Sequence, residues 1–187
     1  MARARRHPPA APPGYPSDFE LSVRLKDGRQ VDIRPILPTD APELGEAIKS
    51  ADAQTLRARF LGGPPPITDA VLRGLVCVDY VSRFALVARH RGRGVAIARY
   101  EASPGSVSAE LAVVVSPAWR RVGLATALVE LLGRRAQECG ITDFTAFFMA
   151  DNRPVTELAH SGNARVVIAD GIAQLSARLT APHTEPE

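Results

Sequence analysis

Leu111-Ala112-Val113-Val114-Val115-Ser116-Pro117-Ala118-Trp119-Arg120-Arg121-Val122-Gly123-Leu124-Ala125-Thr126, followed by Ala127-Leu128-Val129-Glu130-Leu131-Leu132, decides how this chain is organised. The β-branched apolar run predicts a strand that Ser116-Pro117 ends. The apolar stretch from Leu124 predicts a helix reaching about Glu138, with Gly140 as its stop residue. A helix start carries N–H groups without intrahelical partners, and Gly123 with Ala125 places no bulky side chain over them. With Arg120 and Arg121 beside it, such a start is suited to holding a pyrophosphate. Rival phosphate motifs do not fit: there is no Walker loop, and Ser116-Pro117-Ala118-Trp119 follows the strand where a dinucleotide fingerprint needs its first glycine.

On either side, period and turn residues set the organisation. Leu21-Ser22-Val23-Arg24-Leu25 and Gln30-Val31-Asp32-Ile33-Arg34 alternate with period two around Asp27-Gly28 and predict a hairpin. Pro38-Thr39-Asp40-Ala41-Pro42-Glu43 supplies the cap, early proline and early acid of a helix that reaches about Ser50. A second helix is expected over about Ala53 to Phe60, stopped by Gly62-Gly63-Pro64-Pro65-Pro66, and a third over about Ala70 to Cys77. Strands are expected at Phe84 to Arg89, Val95 to Tyr100, Ser108 to Val115 and Thr142 to Met149, with Gly92-Arg93-Gly94 as a hairpin turn. A short helix at Pro154 to His160 and strands at Arg165 to Ala169 and Ile172 to Leu179 close the chain. This order is that of an α+β domain. It is expected over residues 20–180, between a disordered Pro-, Ala- and Arg-rich leader at 1–19 and a flexible tail at 181–187.

Length and composition agree: 187 residues, 45% apolar and 23% charged, suit one globular domain. Cys77 and Cys139 each sit in an apolar segment without metal or disulfide spacing, so they are expected to be buried and reduced, as in the cytoplasm, and no metal is expected. No run has the length of a membrane helix, and Met1 to Tyr15 lacks the apolar core of a secretory signal. The net charge of +3 comes largely from Arg3, Arg5, Arg6 and the Arg89 to Arg93 turn, without interleaved aromatics, so neither nucleic acid nor membrane is an expected partner.

Arg120-x-x-Gly123-x-Ala125 resembles the acetyl-coenzyme A (acetyl-CoA) signature of the GNAT superfamily of N-acetyltransferases, in which Gln or Arg, then Gly, then Gly or Ala stand between a strand and a long helix. Further segments are similar to one branch, the bacterial Pat-type protein lysine acetyltransferases: Leu25-Lys26-Asp27-Gly28, Ile33-Arg34-Pro35-Ile36-Leu37-Pro38-Thr39-Asp40, Arg59-Phe60, Val78-Asp79-Tyr80 and Asp151-Asn152-Arg153-Pro154. The resemblance covers about Val23 to Ala169. It implies the GNAT fold, a mixed, mostly antiparallel sheet flanked by helices, with acetyl-CoA as cosubstrate. It also implies that the strand before the signature splays from its neighbour, so that Val113 and Val115 meet the pantetheine arm as an added strand would. Arg120 opens the signature, and Arg121, Val122, Gly123, Leu124, Ala125 and Thr126 would offer amides to the pyrophosphate. Asn152 has two readings, a contact to the pantetheine arm and a plain helix cap; Trp119 would cover the loop.

Two departures stand out. Leu158-Ala159-His160 occupies the region where many family members place a Tyr as general acid, and Ser161-Gly162-Asn163-Ala164 replaces a common Gly-Phe pair with a smaller contact.

Acetylating a lysine requires its neutral amine, and deprotonating a group of pKa near 10.4 at pH about 7.4 costs roughly 4 kcal/mol. Glu110, at the head of the apolar strand, resembles the Pat-type general base; its alternative is a solvated strand-end charge. As base it requires burial or a water relay, because an exposed Glu near pKa 4.3 is a weak proton acceptor. His90, Glu101 and His160 are lesser candidates. Three functions follow: a protein lysine acetyltransferase, a small-molecule amine acetyltransferase, and a non-catalytic module that binds coenzyme A (CoA) or a partner protein. Monomer and homodimer are both compatible with the sequence.

Overall fold

Period-two alternation closes the first hairpin as expected. In the computed structural model, which describes residues 11–59, 66–161 and 164–179, β1 (Leu21–Arg24) pairs antiparallel with β2 (Gln30–Pro35), and Val23 stands opposite Val31. The helix expected from Pro38 starts later: Pro38–Asp40 is a 3-10 turn and α1 spans Ala41–Ser50. Asp40 sits at the cap position, but its carboxylate is engaged elsewhere, accepting Arg34 Nη1 and Nη2 at 2.8 and 2.6 Å and the Leu37 N–H at 2.8 Å.

α2 (Ala53–Arg59) covers the second expected helix, while Phe60 and the glycines and prolines up to 65 lie outside the described residues. α3 (Asp69–Val76) is capped by Thr68, whose Oγ1 accepts the Val71 N–H at 3.2 Å. β3 (Arg83–His90) and β4 (Arg93–Ala102) form a hairpin through Arg91 and Gly92, both left-handed. β5 (Ser108–Val115) leads through a 3-10 turn at Pro117–Trp119 to α4 (Leu124–Glu138), and Gly140 follows at φ 79°. β6 (Asp143–Met149), α5 (Arg153–Ser161), β7 (Arg165–Ala169) and β8 (Ile172–Arg178) complete the order.

The eight strands form one sheet in the order β1-β2-β3-β4-β5-β6-β8-β7. Every pairing is antiparallel except β5 with β6. On one face α4 buries Leu124, Leu128, Leu132 and Ala136 in the cluster that holds Phe84, Leu86 and Tyr100. Each such leucine contributes about 1.5–3 kcal/mol of apolar burial. On the other face Ile36, Val76, Ala85 and Val87 pack with Leu44 of α1.

Two expectations change. Phe19, assigned to the leader, is fully buried with its ring 5.4 Å from that of Phe84, and Tyr15 stacks edge-on against Tyr80 at 5.6 Å. The packed part of the chain therefore reaches back beyond residue 20. Cys77, expected to be buried, is exposed, and Cys139 is half-buried. The apolar neighbours of Cys77 misled: successive helical positions point about 100° apart, so Val76 turns into the core while Cys77, the C-cap, turns out. Among the described residues no helix is long and apolar enough to cross a membrane.

Candidate active site

β5 and β6 pair only over Ser108 to Glu110 against Asp143 to Thr145. Beyond that point β5 stays with β4 as far as Val115, and β6 goes on with β8 alone. The parallel pair is thus a fork with Glu110 at its vertex. The expected splay is present, and it explains why the apolar run Leu111 to Val115 is only half-buried: one side of the strand has no neighbour. Into the gap opens a cleft of about 1930 Å³, lined by both arms of the fork, the loop after β5 and the start of α4. That volume exceeds an ordinary pocket for a compact ligand and suits an elongated one.

The loop is shaped by backbone conformation. Arg121 at φ 62° and Gly123 at φ 86° are both left-handed, and such residues alternating with ordinary ones turn successive N–H groups to one side. The ladder of α4 begins with the Ala127 N–H to Gly123 O bond at 3.1 Å, so the amides of Leu124, Ala125 and Thr126 precede it. A Cβ on Gly123 would stand 3.5 Å from Lys26 Cγ and Cε, so the aliphatic stem of Lys26 lies directly over the loop. The Lys26 N–H also donates to Val122 O at 3.1 Å. Anion-facing amides, a glycine that admits close approach and a neighbouring ammonium fit the diphosphate of a coenzyme.

Nine of the ten residues expected at the cofactor line the cleft: Val113, Val115, Arg120, Arg121, Gly123, Leu124, Ala125, Thr126 and Asn152. Val122 instead packs against the core. The Arg120 guanidinium is a brace, with Nε donating to Val115 O at 3.1 Å and Nη2 to Thr55 Oγ1 at 3.0 Å, which ties the loop to α2. Asn152 immediately precedes α5, and its carbonyl accepts the N–H groups of Val155 and Thr156 at 3.1 Å.

Among the candidate bases, Glu110 reaches the cleft and is exposed, so the burial its role could have used is absent. His90 is part of a structural stack: its Nδ1 lies 2.8 Å from Gln30 O, and its ring is 4.9 Å from that of Trp119. Trp119 in turn lies under the Arg29 guanidinium at 3.9 Å. Glu101 is paired with Arg83 and Arg99. The side chains of His160 and Leu158, together with Gly162 and Asn163, lie outside the described residues. Lys26 and Thr55 were not singled out from sequence; each reaches the loop from an element remote along the chain, and no local pattern marks such a contact.

The pattern of the acetyltransferase (GNAT) family matches residues 77–162, the span that holds the fork, the loop and α4. A protein of Pseudomonas aeruginosa named as an acetyltransferase is 30% identical over 138 residues, 72% of this chain and 74% of its own. The chain belongs to the GNAT acetyltransferase family. The GNAT domain of S. lividans Pat superposes with a TM-score of 0.81 at 27% identity, over 88% of this chain and 99% of that one. YncA of Salmonella typhimurium, solved with its cofactor acetyl-CoA, superposes with a TM-score of 0.64 at 19% identity, over 84% and 98% of the two chains. The eight-stranded, mostly antiparallel sheet flanked by helices is the GNAT fold.

Proposed function

We propose that this chain transfers the acetyl group of acetyl-CoA to the side-chain amine of a lysine in a protein, with Glu110 as general base. Acetyl transfer is the activity of the family; the acceptor and the role of Glu110 are the proposal. The observation that carries it is the fork, because it opens a gap through the sheet with a carboxylate at its vertex. The amides from Arg121 to Thr126 and the Lys26 ammonium would hold the diphosphate, and the open flank of Val113 to Val115 would receive the pantetheine arm. Bound there, acetyl-CoA supplies the acetyl group as a thioester. Glu110 takes a proton from the arriving ammonium, the neutral nitrogen bonds to the acetyl carbon, the carbon–sulfur bond breaks with its electron pair leaving on sulfur as the CoA thiolate, and the second proton released from nitrogen goes to that thiolate.

Because Glu110 is exposed, the transfer runs through a water rather than by direct contact with a desolvated carboxylate. The likeness to S. lividans Pat, together with the matching segments from Leu25 to Pro154, supports a protein acceptor. The two free cysteines suit a reducing, cytoplasmic setting.

Labelled acetyl-CoA incubated with the protein and a cell lysate should leave label in the protein fraction; label only on small amines would overturn the protein acceptor. Glu110→Gln should lower kcat on the order of a hundred- to ten-thousand-fold, the usual contribution of a positioned base, while CoA affinity holds. Unchanged turnover would remove Glu110 from the mechanism.

A further inference from the structure

Across the middle of the sheet the register aligns Arg83 of β3 with Glu101 of β4, Glu101 with Glu110 of β5, and Glu110 with Thr145 of β6. Residues paired in this way project to one face, here the face opposite α4. Glu101 and Glu110 are therefore direct cross-strand neighbours, with Cβ atoms about 4.5–5.5 Å apart, and two like charges so placed repel unless something offsets them.

The offset is visible around Glu101. Arg83 Nε lies 3.3 Å from its Oε1, and Arg99 Nη2 lies 3.2 Å from its Oε2. Both arginines are themselves anchored on the last turn of α3, Arg83 through Nη2 to Gly74 O and Arg99 through Nη1 to Leu75 O at 3.4 Å. Arg99 is also one of the few buried charged residues, 7% exposed. Glu101 is thus flanked by two guanidinium groups, hydrogen-bonded to Arg99 and ion-paired with Arg83, yet its side chain remains 54% exposed. Beside it, the Glu110 side chain forms no hydrogen bond or ion pair among the described residues.

With both carboxylates ionised, this patch holds two positive and two negative charges. Without Glu101, the two arginines would leave it net positive at the place where a lysine ammonium has to arrive. We propose that Glu101 is the acceptor-recognition residue: its carboxylate receives the cationic amine and delivers it to Glu110 across the strand pair. The inference rests on the reading of the fork as the acetyl-transfer site, and it narrows the acceptor to an amine that arrives protonated.

The test uses the full chain, with a decalysine peptide as acceptor and hydrolysis of acetyl-CoA as the control reaction with an uncharged acceptor. Glu101→Gln should raise the KM for decalysine roughly five- to tenfold, between the effect of an exposed ion pair and that of a charge-assisted hydrogen bond. The rise should shrink at high salt, where the wild type loses the same attraction. Hydrolysis and the KM for acetyl-CoA should stay within about twofold. Glu101→Asp keeps the charge and should recover most of the affinity; if Glu101→Gln fails to fold for want of a partner to the arginines, the double variant Arg83→Gln/Glu101→Gln, which removes one of them together with the carboxylate, should show the same rise in KM. An unchanged decalysine KM when the Glu101 carboxylate is removed overturns the proposal, as does an equal loss in transfer and hydrolysis, which would mark a structural role. If Glu110→Gln loses turnover while Glu101→Gln does not change the KM, the fork reading stands and only the role of Glu101 falls. If the wild type transfers nothing to decalysine and Glu110→Gln alters nothing, the reading of the site falls first and the proposal with it.

Discussion

Gly123 meets two constraints at once. Its φ of 86° is a conformation that L side chains rarely adopt, and the Lys26 stem stands in van der Waals contact, 3.5 Å, with the place a Cβ would take. Gly123→Asp adds backbone strain and sets a negative charge where the diphosphate would lie. Calorimetry should then register little or no heat on CoA addition, and undiminished affinity would move the site away from this loop. A different single residue controls stability. The Asp40 carboxyl is held below its ordinary range: burial pushes it up, but Arg34, the Leu37 N–H and nearby Arg89 outweigh burial. A depressed folded-state value means that the contribution is whole above the unfolded carboxyl's pKa of about 3.9, and is lost as pH falls through the lower folded value. Asp40→Asn should therefore lower the melting temperature at neutral pH, by the equivalent of about 2 kcal/mol for a paired, mostly buried charge, and the gap to wild type should close as pH falls below the unfolded carboxyl's pKa of about 3.9. A gap independent of pH would show that packing, not charge, is at stake. Asp40 also shows a limit of local reading: the residue types of a helix start were correctly recognised, but its carboxylate was claimed by Arg34, whose approach depends on where β2 ends.

Helix α2 is held to the site through a short chain of bonds. Asp52 accepts the Thr55 N–H at 2.8 Å and its hydroxyl at 2.7 Å, and Thr55 Oγ1 accepts Arg120 Nη2. Thr55→Val removes the acceptor with little change in volume. Amide exchange across Ala53–Arg59 should quicken while CoA affinity changes by less than about twofold, because Arg120 keeps its bond to Val115 O. A large loss of CoA affinity would mean that α2 helps hold the coenzyme. Strands and hairpins were legible in the sequence because period two and turn residues are local properties. The exposure of Cys77 was not, because it depends on which side of α3 meets the sheet.

The fork changes what ligand binding should do to the protein. A coenzyme lying along Leu111 to Val115 supplies the neighbour that β6 withdraws, so saturating CoA should slow amide exchange most in that run and in Ala146 to Met149. At a hundred times its Kd it should also add about 2.7 kcal/mol of stability. Slowing confined to β1 and β2 would place the ligand elsewhere. From sequence alone came the strand-loop-helix unit, its glycine and its basic neighbours, because a strand end, a tight turn and a helix start are encoded within a dozen consecutive residues. Only the folded chain decided that β5 parts from β6 at Glu110, that Lys26 and Thr55 close on the loop, and that Glu101 stands opposite Glu110. Those facts depend on register between strands and on packing between remote segments, and neither leaves a periodic trace along the chain.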